Sequence, residues 1–141
     1  MPDPAVLLAN CVNPILTAFL VAAPLLAPPK STRWEFWGRS LAALGLAVAL
    51  AEGGKQIQIW PGHPGFPSGH ETYGLCAVTC LTMRDVRWLF PGLPLLLLLA
   101  GALVEAHFHQ PIDIAGAVLV GPPCALLFQW DKRRDKPAVL R

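Results

Sequence analysis

Long stretches without charged residues constrain this chain more than any other feature. No Asp, Glu, Lys or Arg occurs between Asp3 and Lys30, and none occurs in residues 40–51, 88–104 or 114–130. Apolar stretches of this kind are typical of helices that cross a lipid bilayer, where the helix itself satisfies every backbone polar group. Charged residues make up only 14% of the chain, against about a quarter in soluble domains. The sequence therefore predicts an all-α integral membrane protein.

The apolar stretches and the prolines between them predict where the helices lie. We expect a compact bundle of about five transmembrane helices, over residues 5–27, 34–51, 68–83, 89–106 and 111–130, with a continuation of the second towards Ile59 left open. Pro111 is expected to begin the last helix, because the N–H group that proline lacks has no partner in the first turn. A chain of 141 residues fits a single domain, 1–141, whose residues 131–141 form a short basic tail.

The basic residues predict how the bundle is oriented. Ten of the eleven Lys and Arg residues lie between the first two helices or near the start of the second, between the third and fourth, or in the tail. These segments share one side of a five-helix bundle, which the positive-inside rule makes cytoplasmic. Lys55, all four histidines and the N-terminus fall on the opposite side. We expect a bacterial inner-membrane protein with its site outside and its C-terminus in the cytoplasm.

The string Pro67-Ser68-Gly69-His70 begins the third predicted helix. Helix N-termini bind phosphate readily, because their N–H groups are free and the helix dipole is positive there. Ser68 can cap the helix or donate its hydroxyl to a phosphate oxygen, and Gly69 allows the backbone to approach a ligand closely. His70 can donate a proton at neutral pH. The alternative is an ordinary turn before a helix.

His109 and Asp113 flank Pro111 at the start of the last predicted helix. Asp113 can accept a hydrogen bond from one imidazole nitrogen of His109, which leaves the other nitrogen free to act as a nucleophile. The alternative is an acidic residue that only favours a helix N-terminus. Lys55, the one cation on the outer side, can bind phosphate or extend to the membrane interface.

Three elements of the sequence, Lys55, Pro67–His70 and His109–Asp113, form a pattern. This pattern resembles the signature of the type 2 phosphatidic acid phosphatases, which are membrane relatives of the vanadium haloperoxidases. The resemblance covers roughly residues 55–120. The resemblance implies a metal-independent, cofactor-free lipid phosphatase. His109 would form a phosphohistidine, Asp113 would orient it, and His70 would protonate the leaving group. The resemblance further implies that the phosphate of a lipid monophosphate or polyprenyl diphosphate is bound by Lys55, Ser68, Gly69 and His63.

Two arginines of the family signature are replaced in this chain. Gly62 and His63 stand where the family has Arg-Pro, and Ala102 and Leu103 stand where it has Ser-Arg. Arginine binds phosphate through paired, charge-assisted hydrogen bonds that histidine and lysine do not reproduce. The alternative function is therefore a non-catalytic membrane subunit or lipid-binding protein, which a glutamate in the phosphate position would favour.

The remaining predictions concern metals and partners. A metal or haem site built from the four histidines is a third alternative, although it does not explain the Pro-Ser-Gly-His string. The four cysteines lie in apolar stretches and are expected to be small buried residues. The expected partners are a lipid phosphate, the bilayer, and a membrane protein or a second copy of the chain, with no nucleic acid.

Overall fold

The computed structural model describes residues 3–26 and 33–130. Within these residues the chain is all-α, as predicted, and contains no strand. A 3₁₀ helix, Val86–Trp88, precedes the fourth of six α-helices. The helices are α1 (Pro4–Leu26), α2 (Arg33–Gln56), α3 (Gly69–Arg84), α4 (Leu89–Glu105), α5 (Pro111–Val118) and α6 (Gly121–Gln129). The predicted basic tail and Lys30 lie outside the described residues.

Helix α3 is the centre of the bundle and contacts each of the other five α-helices. Its inner faces carry small side chains, and Cys76, Ala77 and Cys80 are fully buried. Small residues allow helices to approach closely, which is how helices pack when lipid rather than water surrounds them. The prediction for the cysteines is confirmed for Cys76, Cys80 and Cys124, but Cys11 lies on the exposed side of α1.

Three segments are long and apolar enough to cross a membrane: Pro4–Leu26, Val86–Glu105 and Pro111–Gln129. Their outward faces carry large apolar side chains, such as Phe90 and Leu119, which is typical of a lipid-facing surface. Helix α2 carries charged residues at both ends. Helix α3 has 16 residues and spans about 24 Å, less than the hydrocarbon core of about 30 Å. The structure thus supports a membrane protein with three candidate spans, and the five-span bundle stays a prediction.

The last predicted helix is two helices rather than one. Leu119 and Val120 form a turn between α5 and α6, so the prediction of a continuous helix over 111–130 was wrong. Pro122 and Pro123 explain the break, since neither can donate the backbone hydrogen bond that would continue α5. Both prolines are tolerated in the first turn of α6, where those donors would have no helical partner.

Candidate functional site

Ser68 fixes the start of α3. Its backbone is extended, and its Oγ accepts a hydrogen bond from the Glu71 N–H at 3.4 Å, which makes it the N-cap. The residue is fully buried. Of the two roles predicted for Ser68, the structure therefore places its hydroxyl in the capping role.

Asp113 fixes the start of α5 in a similar way. Its Oδ2 accepts a hydrogen bond from the Gln110 N–H at 2.9 Å, and Pro111 occupies the first turn. The N-cap is therefore Gln110 and not His109, which precedes it by one residue. Asp113 is buried, with only 4% of its surface exposed, so its carboxylate is held by the backbone of the turn that carries His109.

A backbone hydrogen bond joins the two predicted strings directly. The Ser68 N–H donates to the carbonyl oxygen of Asp113 at 2.9 Å. This bond connects the residue before α3 to the first turn of α5, two segments that are far apart in the sequence. The predicted convergence of Pro67–His70 and His109–Asp113 at one end of the bundle is thus present in the structure.

The imidazole of His109 lies beside the Asp113 carboxylate. The His109 Nδ1 is 3.5 Å from Asp113 Oδ2, and the two side chains are only 10% and 5% exposed. This distance suits an ion pair but is longer than a well-formed hydrogen bond, and Nδ1 has no hydrogen-bond partner within the described ranges. Because Nδ1 faces the carboxylate, Nε2 is the nitrogen left to react.

Gly65 allows the loop between α2 and α3 to lie against this pair. A Cβ atom at residue 65 would be 3.0 Å from both Asp113 Oδ2 and His109 Nδ1. No side chain larger than hydrogen fits there without moving one of the two groups. Gly65 is a site residue that the sequence prediction missed.

Burial and nearby charges set the protonation of His109. Burial lowers the pKa of His109 below its ordinary value of 6.5, and the Asp113 carboxylate opposes this shift. The positive charges of Lys55 and His70 lower the pKa of His109 further. The balance favours a neutral imidazole, which is the form able to attack an electrophile.

A polar cavity of about 310 Å³ opens beside the pair. Its lining residues are His63, Pro64, Gly65, His107, Phe108, His109, Gln110 and Asp113. His63 Nδ1 is buried without a hydrogen-bond partner in the described part of the chain, so the predicted phosphate ligand His63 does share a cavity with the predicted nucleophile. Across residues 3–26 and 33–130, no group of three or more His, Cys, Asp or Glu side chains could hold a metal ion.

Lys55 approaches the start of α3 from the last turn of α2. Its Nζ is 2.7 Å from Glu52 Oε1. A Cβ atom on Gly69 would be 3.3 Å from the Lys55 Nζ and 2.7 Å from the same Glu52 oxygen. Lys55 and Gly69, two predicted phosphate ligands, are therefore neighbours, and the carboxylate of Glu52 lies against both.

His70, the predicted general acid, lies on the first turn of α3 and is exposed. Its carbonyl oxygen accepts a hydrogen bond from the Asn13 side chain at 3.1 Å, which ties this turn to α1. His70 does not line the cavity beside His109. The described contacts therefore bring the start of α3, but not the His70 side chain, to the cavity beside His109.

The positions where the resembled family has Ser-Arg belong to the core. Ala102 and Leu103 are buried, and the Leu103 carbonyl accepts hydrogen bonds from the N–H groups of Phe108 and His109 at 3.0 and 3.2 Å. This segment therefore holds the turn before His109 in place and offers no cation to a phosphate.

The chain was also compared with known proteins. A scan against protein-family models found no match, and neither the curated proteins nor the solved structures contained a significant match.

Proposed function

We propose that this protein is a membrane lipid phosphatase that hydrolyses a phosphate monoester or diphosphate through a phosphohistidine. The observation that carries the proposal is the 2.9 Å hydrogen bond from the Ser68 N–H to the Asp113 carbonyl. This bond holds the start of α3, with its free N–H groups, beside a buried His109–Asp113 pair. An anion-binding helix end next to an oriented imidazole is the arrangement that phosphoryl transfer through histidine needs.

The reaction would proceed in two balanced steps. His109 Nε2 attacks phosphorus, the bond from phosphorus to the lipid oxygen breaks, and His70 donates a proton to that oxygen. His70 then removes a proton from water, the resulting hydroxide attacks phosphorus, and the bond to Nε2 breaks. Asp113 orients the imidazole and stabilises the positive charge that develops on it.

Lys55, the Gly69 N–H and His63 would bind the phosphate oxygens. Lys55 and the helix end supply positive charge without a metal ion. His63 would replace one of the family arginines. Its Nδ1 has no hydrogen-bond partner among the described residues, so it can form a hydrogen bond with the substrate. Because these groups form fewer bonds than two arginines, we expect weak phosphate binding relative to that of an arginine site.

An apolar groove supports a lipid as the substrate. The groove has a volume of about 420 Å³. It is lined by Thr17, Leu20, Val21, Trp37, Ser40, Leu41, Leu44 and Tyr73. Tyr73 follows His70 by one turn of α3, so a chain lying in this groove ends near the proposed general acid. We assign the groove to the hydrocarbon chain of the substrate.

The proposed membrane arrangement is a five-span bundle in the bacterial inner membrane. Helices α2 and α3 would complete it, with α3 beginning below the outer surface, and the site and N-terminus would face outward. A lipid phosphate in the outer leaflet could then reach His109 directly. Association with a membrane protein or a second copy of the chain is also part of the proposal.

The direct test is phosphate release by the purified protein in detergent with a metal chelator present. We expect release from phosphatidate or a polyprenyl diphosphate, and we expect His109→Ala to lower the rate by at least about a thousandfold. His107→Asn is the matched control, since asparagine tolerates the positive φ of 56° at this position. Equal activity of the His109→Ala variant and the unaltered protein would overturn the assignment.

One observation favours a second candidate function, a non-catalytic lipid-phosphate-binding protein or membrane subunit. The carboxylate of Glu52 lies against both Lys55 and Gly69, where a phosphate oxygen would have to bind. This candidate predicts no phosphate release from any lipid tested, together with copurification of one partner in a fixed ratio. Turnover that depends on His109 would exclude it.

A further inference from the structure

Glu52 occupies the position that an anionic ligand of Lys55 would take. Its Oε1 is 2.7 Å from the Lys55 Nζ, and the same oxygen lies 2.7 Å from where a Cβ on Gly69 would be. A carboxylate beside a helix N-terminus and an ammonium group is stabilised by both. The same two groups are those that would bind a phosphate oxygen.

The Glu52 side chain is free to leave this position. It is 52% exposed, whereas the Lys55 side chain is 23% exposed. An exposed ion pair of this type is weak, because water competes for both partners. The carboxylate can therefore rotate into solvent when a stronger anion arrives, while Lys55 stays against the start of α3.

We infer that Glu52 is a built-in competitor for the phosphate site, and that a substrate must displace it to bind Lys55 and Gly69. This inference rests on the proposed function, because it takes the Lys55–Gly69 position to be the phosphate site. Only molecules in which Glu52 has left Lys55 can bind an anion. The apparent dissociation constant of every anion is therefore raised by the same factor, which is one divided by the fraction of molecules in this open state.

The consequence is a penalty that every anion must overcome, which leaves the ratio of their affinities unchanged but lowers the occupancy of the site by weakly bound anions. A phosphate monoester carries a charge of about −1.5 to −2 at neutral pH, whereas a phosphodiester headgroup carries one negative charge. The diester gains little by replacing a carboxylate of equal charge, and the monoester gains a stronger attraction to Lys55. A membrane protein is surrounded by phosphodiester lipids, and Glu52 would keep those headgroups out of the site.

The test is direct binding, measured by calorimetry in detergent without turnover. The probes are inorganic phosphate and a short-chain phosphatidylglycerol, which is a monoanionic diester. In Glu52→Gln the dissociation constants of both probes should fall by the same factor, about three- to thirtyfold. Glu105→Gln, which removes one negative charge from the end of α4, should change neither constant.

Two further variants keep the interpretation specific. Adding Lys55→Gln to Glu52→Gln should abolish the gain in affinity, because Lys55 is the cation that Glu52 contacts and that becomes available to the anion. Glu52→Asp keeps the charge but shortens the side chain, and it should give a smaller gain of the same sign. Unchanged or weaker binding in Glu52→Gln, or an equal gain in Glu105→Gln, would overturn the inference.

The binding assay separates this inference from the proposed phosphatase activity. Tighter binding in Glu52→Gln without phosphate release from any lipid supports the inference and removes the catalytic proposal. Phosphate release by the unaltered protein, with no change of binding in Glu52→Gln, supports the catalytic proposal and overturns the inference about Glu52. Absence of phosphate binding in both proteins overturns the inference.

Discussion

Replacement of Gly65 by alanine tests the geometry of the His109–Asp113 pair with a single methyl group. The new Cβ would lie 3.0 Å from Asp113 Oδ2, 3.0 Å from His109 Nδ1 and 3.4 Å from His109 Cε1. Carbon contacts are most favourable at about 3.5–4.0 Å. One or both side chains must therefore move by a few tenths of an ångström, although both are nearly buried.

We expect two effects of Gly65→Ala. Displacement of the nucleophile by a few tenths of an ångström should lower kcat by about three- to tenfold, since misplacement by about 1 Å can cost a hundredfold. Overpacking of a buried site should reduce the free energy of unfolding by about 1–3 kcal/mol. The loss of activity should exceed what the loss of folded protein explains.

Gly62→Ala is the matched control in the same loop. Gly62 has a φ of +85°, and a Cβ there would meet no atom within 4 Å. Alanine is strained at this φ by about 1–2 kcal/mol, so the variant should lose stability but keep kcat within about twofold. Phosphate release and thermal unfolding are measured on both variants in the same detergent. An unaltered kcat in Gly65→Ala, or an equal loss in Gly62→Ala, would refute the reasoning.

Four further predictions concern protonation and the helix cap. Asp113→Asn should lower the pKa of His109 further, because the Asp113 carboxylate raises that pKa. An unchanged pKa of His109 in an NMR titration of this variant would show that the two side chains are not coupled. Since the folded pKa of His109 lies below the unfolded value of about 6.5, the folded state binds fewer protons, so stability should fall as the pH drops below 6.5. The acidic limb of kcat/KM should for the same reason lie below pH 6.5, and a limb above it would argue against neutral His109 as the nucleophile. Ser68→Ala should cost about 1 kcal/mol of unfolding free energy without raising KM; a large rise in KM would instead place the hydroxyl on the substrate.

The pattern of charges predicted the location of the site better than it predicted the number of spans. The distribution of basic residues along the sequence predicted that Lys55 and the histidines share one end of the bundle. In the structure Lys55 lies against the start of α3, and His63 and His109 line one cavity. Helices α1, α3 and α4 begin and end within about two residues of their predicted positions, because prolines or a cap mark their limits. The break before Pro122 was not predicted, because apolar composition alone does not distinguish one helix from two.

Gly65 shows what the sequence could not supply, and the contact of Glu52 with Lys55 shows what the sequence left open. Glu52 contacts Lys55 because α2 continues to Gln56, which places the two residues three apart on one helix face. A firm prediction of that helix end would have paired them. Gly65 had no such signal, since its role depends on how closely a loop packs against α5, a distance that only the folded chain defines.

The central claim is tested most directly by trapping the proposed covalent intermediate. The protein is mixed with a lipid phosphate, quenched rapidly in alkali, where a phosphorus–nitrogen bond to histidine survives, and analysed by mass spectrometry of its peptides. We expect one added phosphoryl group on His109, and none on the Asp113→Asn and His109→Ala variants at the same early time. A phosphoryl group on another residue, or steady phosphate release with no modified His109 at any time, would contradict this claim.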